Sequence, residues 1–369
     1  MQNAAAQRCA ASKNGDQKVK IGILTFHEAD SYGAVLQAYA LQQTLAKLGA
    51  DSEFVQFNMP TKPAASPAPA NASAASALFM RRIQAEGKKR EALFSAFRQK
   101  YMKISAPYQP TDPVNAEYDH FIAGSDQIWN FRIPGADGRY FLPFASPEKR
   151  HSYAASFGAD SLPEKSKDWV AKQLSSFSSI SVREESGCQI VNELTNRYAQ
   201  VCLDPTMLPD RADWEALTIK EEYPYVLLFL LKYDEVLVQQ AKNEAEKRNL
   251  PLRIISASFI PQVGMDAWNT TGVTQWLSAI RNATCVFTNS FHGMVFSMIF
   301  HRQFHIQRLT GELSSRNGRL DEMLAFLQLT DALDGVVCPD YEKVWKLLDE
   351  RKAASIMYLR RIIENDPVA

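Results

Sequence analysis

The run Thr288-Asn289-Ser290-Phe291-His292-Gly293 places one imidazole at the junction of a strand and a helix. Ala283 to Phe287 reads as a buried strand, and Met294 to Phe300 as an apolar helix that begins straight after Gly293. A helix N-terminus presents unpaired N–H groups and the positive end of a dipole. An anion can dock there beside a group that moves protons. A lone histidine more often packs or caps than catalyses, so its surroundings decide the matter.

Three further junctions carry residues of the same kind. His27-Glu28-Ala29-Asp30-Ser31-Tyr32-Gly33 follows the first strand, where Gly33 permits close backbone approach and the next helix presents its N-terminus. Gly124-Ser125-Asp126-Gln127-Ile128-Trp129-Asn130 follows another strand. Ser125 and Asp126 suit helix capping as well as ligand binding, and Trp129, like Tyr32, suits a core as well as a sugar face. Arg183-Glu184 follows a third, where Arg183 either holds an anion or joins an ion pair. Ligands of open α/β sheets bind beyond the carboxyl ends of strands. Four loaded junctions therefore point to one shared cleft. His301 and His305 are spaced i, i+4, but the helix is expected to end between them, and no metal site is expected. G-x-G-x-x-G, Walker A, G-x-S-x-G and H-E-x-x-H are all missing from the sequence.

The elements that must position these residues alternate strand and helix. Ile21 to Thr25, a helix over Ala34 to Leu48 stopped by Gly49, and a strand over Glu53 to Phe57 make a βαβ opening. Pro60 to Ala77 is almost all Ala, Pro and Ser, a flexible loop by composition. Arg81 to Lys100 is a charged helix whose Lys88-Lys89-Arg90 reads first as a solvated face. Strands are expected over Tyr118 to Ala123, His151 to Ser156, Ser179 to Val182 and Gln200 to Leu203. A second series begins with Tyr225 to Leu231, a helix over Glu235 to Arg248, and strands over Leu252 to Ser256, Thr284 to Thr288 and Phe304 to Gln307. The expected architecture is α/β, with two doubly wound Rossmann-like domains facing a cleft. Residues 1–19 would be a disordered start, 20–210 the first domain carrying the 60–77 loop, 220–335 the second, and 340–365 a helix packing back on the first.

Composition narrows the function classes. Across 369 residues, 41 Lys and Arg balance 41 Asp and Glu, so no overall field recruits nucleic acid and any anion site must be local. Five cysteines without C-x-x-C spacing fit a reducing compartment rather than a zinc site or a disulfide framework. No apolar run approaches the roughly 20 residues of a membrane span, and the first 20 residues lack the apolar core of a signal peptide. A cytoplasmic protein is expected, at the inner face of the membrane if its substrate is lipid-borne. Transient membrane contact through such a substrate or a basic helix is left open.

The segments at these junctions resemble the polysaccharide pyruvyl transferase family. They are Ser31-Tyr32-Gly33-Ala34-Val35-Leu36-Gln37 continuing to Gln42, Gly124-Ser125-Asp126-Gln127-Ile128-Trp129, Ser152 to Gly158, Val182-Arg183-Glu184, Asp204-Pro205-Thr206, and Thr288 to Gly293. They occur in that family's order from about Lys20 to Leu329. The resemblance implies a GT-B-like fold and transfer of pyruvate from phosphoenolpyruvate onto two hydroxyls of a sugar or lipid-linked oligosaccharide, forming a cyclic ketal without a cofactor. On that basis His292 is the expected acid/base, Asp126 a second base, and Arg183 a bidentate ligand of the donor. Gly124, Ser125, Trp129, Tyr32, Gly33, Asn289, Ser290 and Gly293 complete the expected binding set. Some members carry an Arg two residues before this His. Ser290 stands there here, so Arg316, or else Arg308 or Arg319, is expected to supply the missing charge. Two rivals remain: a nucleotide-sugar glycosyltransferase of the same fold, and a non-catalytic glycan-binding member. Neither the acceptor sugar nor the oligomeric state is written in the sequence.

Overall fold

The computed structural model describes residues 18–58, 74–109, 111–133 and 137–366. The first half contains β1 (Lys20–Leu24), α1 (Tyr32–Lys47), β2 (Asp51–Phe54), α2 (Ala74–Tyr101), α3 (Val114–Glu117), β3 (His120–Ala123), β4 (Arg150–Ser152), α4 (Glu164–Leu174), β5 (Ser181–Val182), α5 (Glu185–Thr195) and β6 (Gln200–Val201). After α6 (Arg211–Glu215) come β7 (Val226–Leu230), α7 (Glu235–Arg248), β8 (Leu252–Ser256), α8 (Asp266–Asn269), α9 (Val273–Asn282), β9 (Cys285–Thr288), α10 (Phe291–Ile299) and β10 (Gln303–Ile306). The chain ends with α11 (Gly318–Phe326) and α12 (Tyr341–Glu364).

Both sheets are parallel. The first runs β2-β1-β3-β4, and bridges from His151 to Ser179 and from Ala155 to Val182 join the β5-β6 pair to its β4 side. The second runs β10-β9-β7-β8. Counted within each half, both place the first strand between the second and the third, so each has a topological switch point beside its first strand. β7 is buried along its whole length and β1 from Ile21 onward, as strands covered by helices on both faces must be. The two halves are Rossmann-like domains facing a cleft, a GT-B-like arrangement.

Two crossings tie the halves together. Arg90 of α2 donates to the Trp268 carbonyl (2.9 Å), to the Asp30 carbonyl (3.1 Å) and to the Tyr32 hydroxyl (3.1 Å). Tyr32 in turn donates to the Thr271 carbonyl (2.8 Å) and stacks on Trp276 with ring centroids 5.0 Å apart. In the other direction α12 returns to the first half. Its Tyr358 hydroxyl donates to the Ser152 carbonyl (2.9 Å), and its Ser355 hydroxyl accepts from Leu203 N–H (3.0 Å).

Several expected boundaries move. α10 begins at Phe291 with Ser290 as its N-cap, so His292 lies inside the first turn rather than before the helix. The last residues of the Pro60 to Ala77 segment are already α2, and residues 60–73 lie outside the described residues. β2 stops at Phe54, and β4 stops at Ser152 although Ala155 still bridges to Asp126 and Val182. His301 and His305 are not on one helix. His301 follows α10 with φ +54° and stacks on Tyr341, whereas His305 lies on β10 beside Gln240 and the Gly335 carbonyl. Among the described residues, no helix is long and apolar enough to cross a membrane, and no cluster of three or more metal-ligating side chains occurs.

A buried histidine pair on β3 and β4 of the first sheet is expected to make folding pH-sensitive. His120 Nδ1 and His151 Nε2 lie 3.1 Å apart, and His151 Nδ1 contacts the Ser179 hydroxyl at 2.8 Å. Burial, and secondly the charge of His120, push His151 from 6.5 down to about 3. As pH falls from 6.5 toward about 3, the unfolded chain takes up a proton that the folded chain refuses, so stability falls through that window and is full above it. Urea midpoints at about pH 7 and about pH 5 should differ more for the wild type than for His151→Gln.

Candidate functional site

A cavity of about 200 Å³ opens at the carboxyl ends of β1, β3, β7 and β9, between the two switch points. α1 and α10 both aim their N-termini at it. Ser31, the N-cap of α1, makes no side-chain cap bond, so it leaves the first-turn amides of α1 without a side-chain acceptor. Ser290, the N-cap of α10, accepts from Gly293 N–H at 3.3 Å and lines the cavity.

His292 stands where these helices meet. A Cβ on Gly33 would collide with its Nδ1, so only glycine lets α1 come this close to the imidazole. Nδ1 thus lies over Gly33 on the cavity wall, while Nε2 is sealed from solvent 3.4 Å from Asp204 Oδ2. At that distance no hydrogen bond is formed. Asp204 is fully buried and uses both oxygens. Oδ1 accepts from the Thr206 backbone (3.0 Å) and hydroxyl (2.7 Å), and Oδ2 accepts from Arg183 Nη1 (2.7 Å). Arg183 Nε donates to Glu184 (3.2 Å), and Nη2 lies 3.8 Å from Asp126.

The charges in this chain are coupled. Burial alone would raise the Asp204 carboxyl, but His292 and Arg183 outweigh it and hold Asp204 well below the usual carboxylate range. Burial alone would lower Arg183, but Glu184 and Asp204 hold it above its ordinary value. Asp204 is therefore an anion at any physiological pH. It can orient His292 and balance an imidazolium, the role a buried carboxylate plays in acid/base dyads.

His292, Asp126, Ser290, Gly33 and Tyr32 all line the cavity. The Tyr32 hydroxyl is already committed to Thr271 and Arg90. Several other expected ligands require correction. Trp129 is fully buried, stacks on Phe141 and donates to the Tyr140 carbonyl, so it supports the loop and offers no face to a sugar. Ser125 is sealed and donates to the Ala154 carbonyl (2.9 Å). Gly124, at φ +120°, has no room for a Cβ against the Tyr153 carbonyl. Asn289 spends its amide on Leu231 N–H (2.8 Å) and the Lys232 carbonyl (2.7 Å), pinning the end of β7. Gly293 packs against Thr288, where a side chain would not fit. Arg183 has its Nε and Nη1 engaged by carboxylates, so the expected bidentate grip on a donor would require breaking that network.

Of the three arginines considered for the missing charge, Arg308 pairs with Asp321 on the surface (2.8 Å). The Arg316 side chain lies outside the described residues. Arg319, at the start of α11, lines the cavity. The preceding turn is fixed by Asn317, whose amide spans the Leu309 backbone N–H (2.9 Å) and carbonyl (2.8 Å). Sequence reasoning gave Asp204 no role. The signal was a polar side chain directly after the expected strand Gln200 to Leu203, the placement that marked the other four junctions.

A family model described as Polysaccharide pyruvyl transferase matches residues 32–306. No curated protein matches the chain. Among solved structures, UDP-GlcNAc 2-epimerase from Methanocaldococcus jannaschii, in complex with UDP-GlcNAc and UDP, is 11% identical at a TM-score of 0.45, over 95% of this chain and 100% of that one. A putative UDP-N-acetylglucosamine 2-epimerase from Listeria monocytogenes is 11% identical at 0.45, over 94% of each chain. A UDP-glucosyltransferase from Polygonum tinctorium is 9% identical at 0.36, over 95% and 99%.

Proposed function

The chain belongs to the polysaccharide pyruvyl transferase family, and from that premise we propose that it moves pyruvate from phosphoenolpyruvate onto two hydroxyls of a sugar, as a step of cell-surface polysaccharide assembly. The observation that carries this reading is a cavity-lining imidazole backed by a buried, permanently ionised carboxylate, His292 against Asp204.

His292 delivers a proton to C3 of the enol, making the methyl group and leaving C2 electron-poor. One sugar hydroxyl adds to C2 as its proton passes to a base, the role this reading gives to Asp126 on the cavity wall. Phosphate then departs with the bridging C–O electrons, and the second hydroxyl closes the ketal. Of the two hydroxyl protons released, one replaces the proton given to C3 and the other leaves with phosphate or solvent. Asp204 balances the imidazolium at the start and receives the same ring back at the end. No cofactor enters the scheme, because the enol ester already carries its leaving group.

A nucleotide-sugar glycosyltransferase is the second reading. The cavity volume favours the compact donor, since about 200 Å³ falls short of the roughly 300–1,000 Å³ that larger ligands occupy. The acceptor, a sugar or lipid-linked oligosaccharide, would approach from the open side, and a lipid-linked one would put the enzyme at the cytoplasmic face of a membrane. Incubation with phosphoenolpyruvate and a mixed glycan pool should release phosphate and give glycans heavier by one pyruvate ketal. Nucleotide release from a sugar nucleotide, with phosphoenolpyruvate left intact, would overturn the reading.

Gly33 offers a local test. Gly33→Ala should displace the imidazole by about 1 Å and lower kcat by about 10²-fold while far-UV circular dichroism stays unchanged. An unaltered kcat would show that the contact between α1 and His292 does not set the geometry.

A further inference from the structure

Among the described residues that line the cavity, Arg319 is the one arginine, and its nitrogens are in part sealed and unmatched. Its Nε and Nη1 are shielded from solvent, and neither has a hydrogen-bond partner. Among the described residues, no carboxylate lies within ion-pair distance of it. Asp126, Glu184 and Asp204 act on it only from further away, and Arg183 repels it. Its close neighbour is the Phe291 ring, 5.1 Å from the guanidinium carbon. Burial, and secondly Arg183, bring it down to about 10, so it stays charged at physiological pH without a counter-ion. Keeping a partly sealed guanidinium unpaired costs stability, and that cost is recovered when an anion arrives.

The cavity supplies the complement. The first-turn amides of α1, a helix of 16 residues, and the N-terminus of α10 face the same space. We propose that Arg319 and the α1 N-terminus together form a built anion site that takes one charged group, phosphate or carboxylate, of a compact substrate. That the substrate is phosphoenolpyruvate rests on the reading above; the anion site does not. The arginine network at Arg183 is then the scaffold of the site, and Arg319 its ligand-binding cation.

Calorimetry on the full chain with phosphoenolpyruvate, inorganic phosphate and pyruvate, each separately, tests this. Arg319→Gln should weaken phosphoenolpyruvate binding by about 10–100-fold, with Arg319→Lys in between. Loss confined to phosphate assigns that group to Arg319, and loss confined to pyruvate assigns the carboxylate. The ligand-free variant should unfold in urea no earlier than the wild type, because an unpaired buried charge has been removed. Unchanged binding of all three anions, or a clearly lower urea midpoint without ligand, would overturn the proposal. Arg319-dependent phosphate binding in an enzyme that never consumes phosphoenolpyruvate would instead remove the pyruvyl reading and leave the anion site standing.

Discussion

Replacing His292 with asparagine is expected to lower ketal formation by about 10²–10⁴-fold while phosphoenolpyruvate still binds. Asparagine is close in size and polar, so the sealed space beside Asp204 and Gly33 stays filled, but its amide carries no proton to give to carbon. The loss should therefore appear in kcat, with the donor dissociation constant within a few-fold of wild type. Single-turnover kinetics and calorimetry on the same preparation measure the two quantities. A variant within tenfold of wild-type kcat would mean that the proton reaches C3 from elsewhere, with Asp126 the first place to look.

Arg183→Met should cost about 3–5 kcal/mol of folding stability, because it strips the cation from a buried group of carboxylates. Asp204 and Glu184 lose hydrogen bonds of 2.7 and 3.2 Å, and Asp126 loses its nearest positive charge. Urea denaturation at neutral pH reads the effect directly. Acid lowers the difference: Asp204 is stabilising above its ordinary pKa near 3.8, and that stability is lost as pH falls through its depressed folded value, so the wild type should lose its advantage at the acid end. Arg183→Lys should recover part of the stability, since an ammonium on a shorter reach satisfies one carboxylate and not two. If Arg183 were mainly a donor ligand, the methionine variant would fold normally and only KM would rise.

Periodic segments bounded by clear stop signals were legible in the sequence. α7 and β8 fall where the pattern put them, because Asp234 caps the helix, Asn249 ends it in the left-handed region, and the strand is a short apolar run. The switch-point cleft was legible too, since loaded strand ends recur at β1, β3 and β9. The start of α10 was misplaced because Phe291 and His292 carry no helix-entry signature beyond Ser290. Trp129 was misread for a physical reason: an aromatic lining a sugar site and one wedged under a loop have the same composition, and only packing separates them. The buried setting of Asp204 depends on contacts with Arg183, 21 positions earlier, and with His292, 88 positions later, and no local pattern encodes such distances. The same holds for Arg319, which reaches the cavity from a turn fixed by Asn317.

The central claim, that His292 protonates C3 of the enol as the ketal forms, is tested most directly by running the reaction in deuterium oxide and analysing the product methyl group. Wild-type enzyme should place one solvent-derived deuterium in the methyl of each new ketal, at a rate that collapses in His292→Asn. Phosphoenolpyruvate consumed without a solvent-derived deuterium in the product methyl, or deuterated ketal made by the variant at the wild-type rate, would contradict the account.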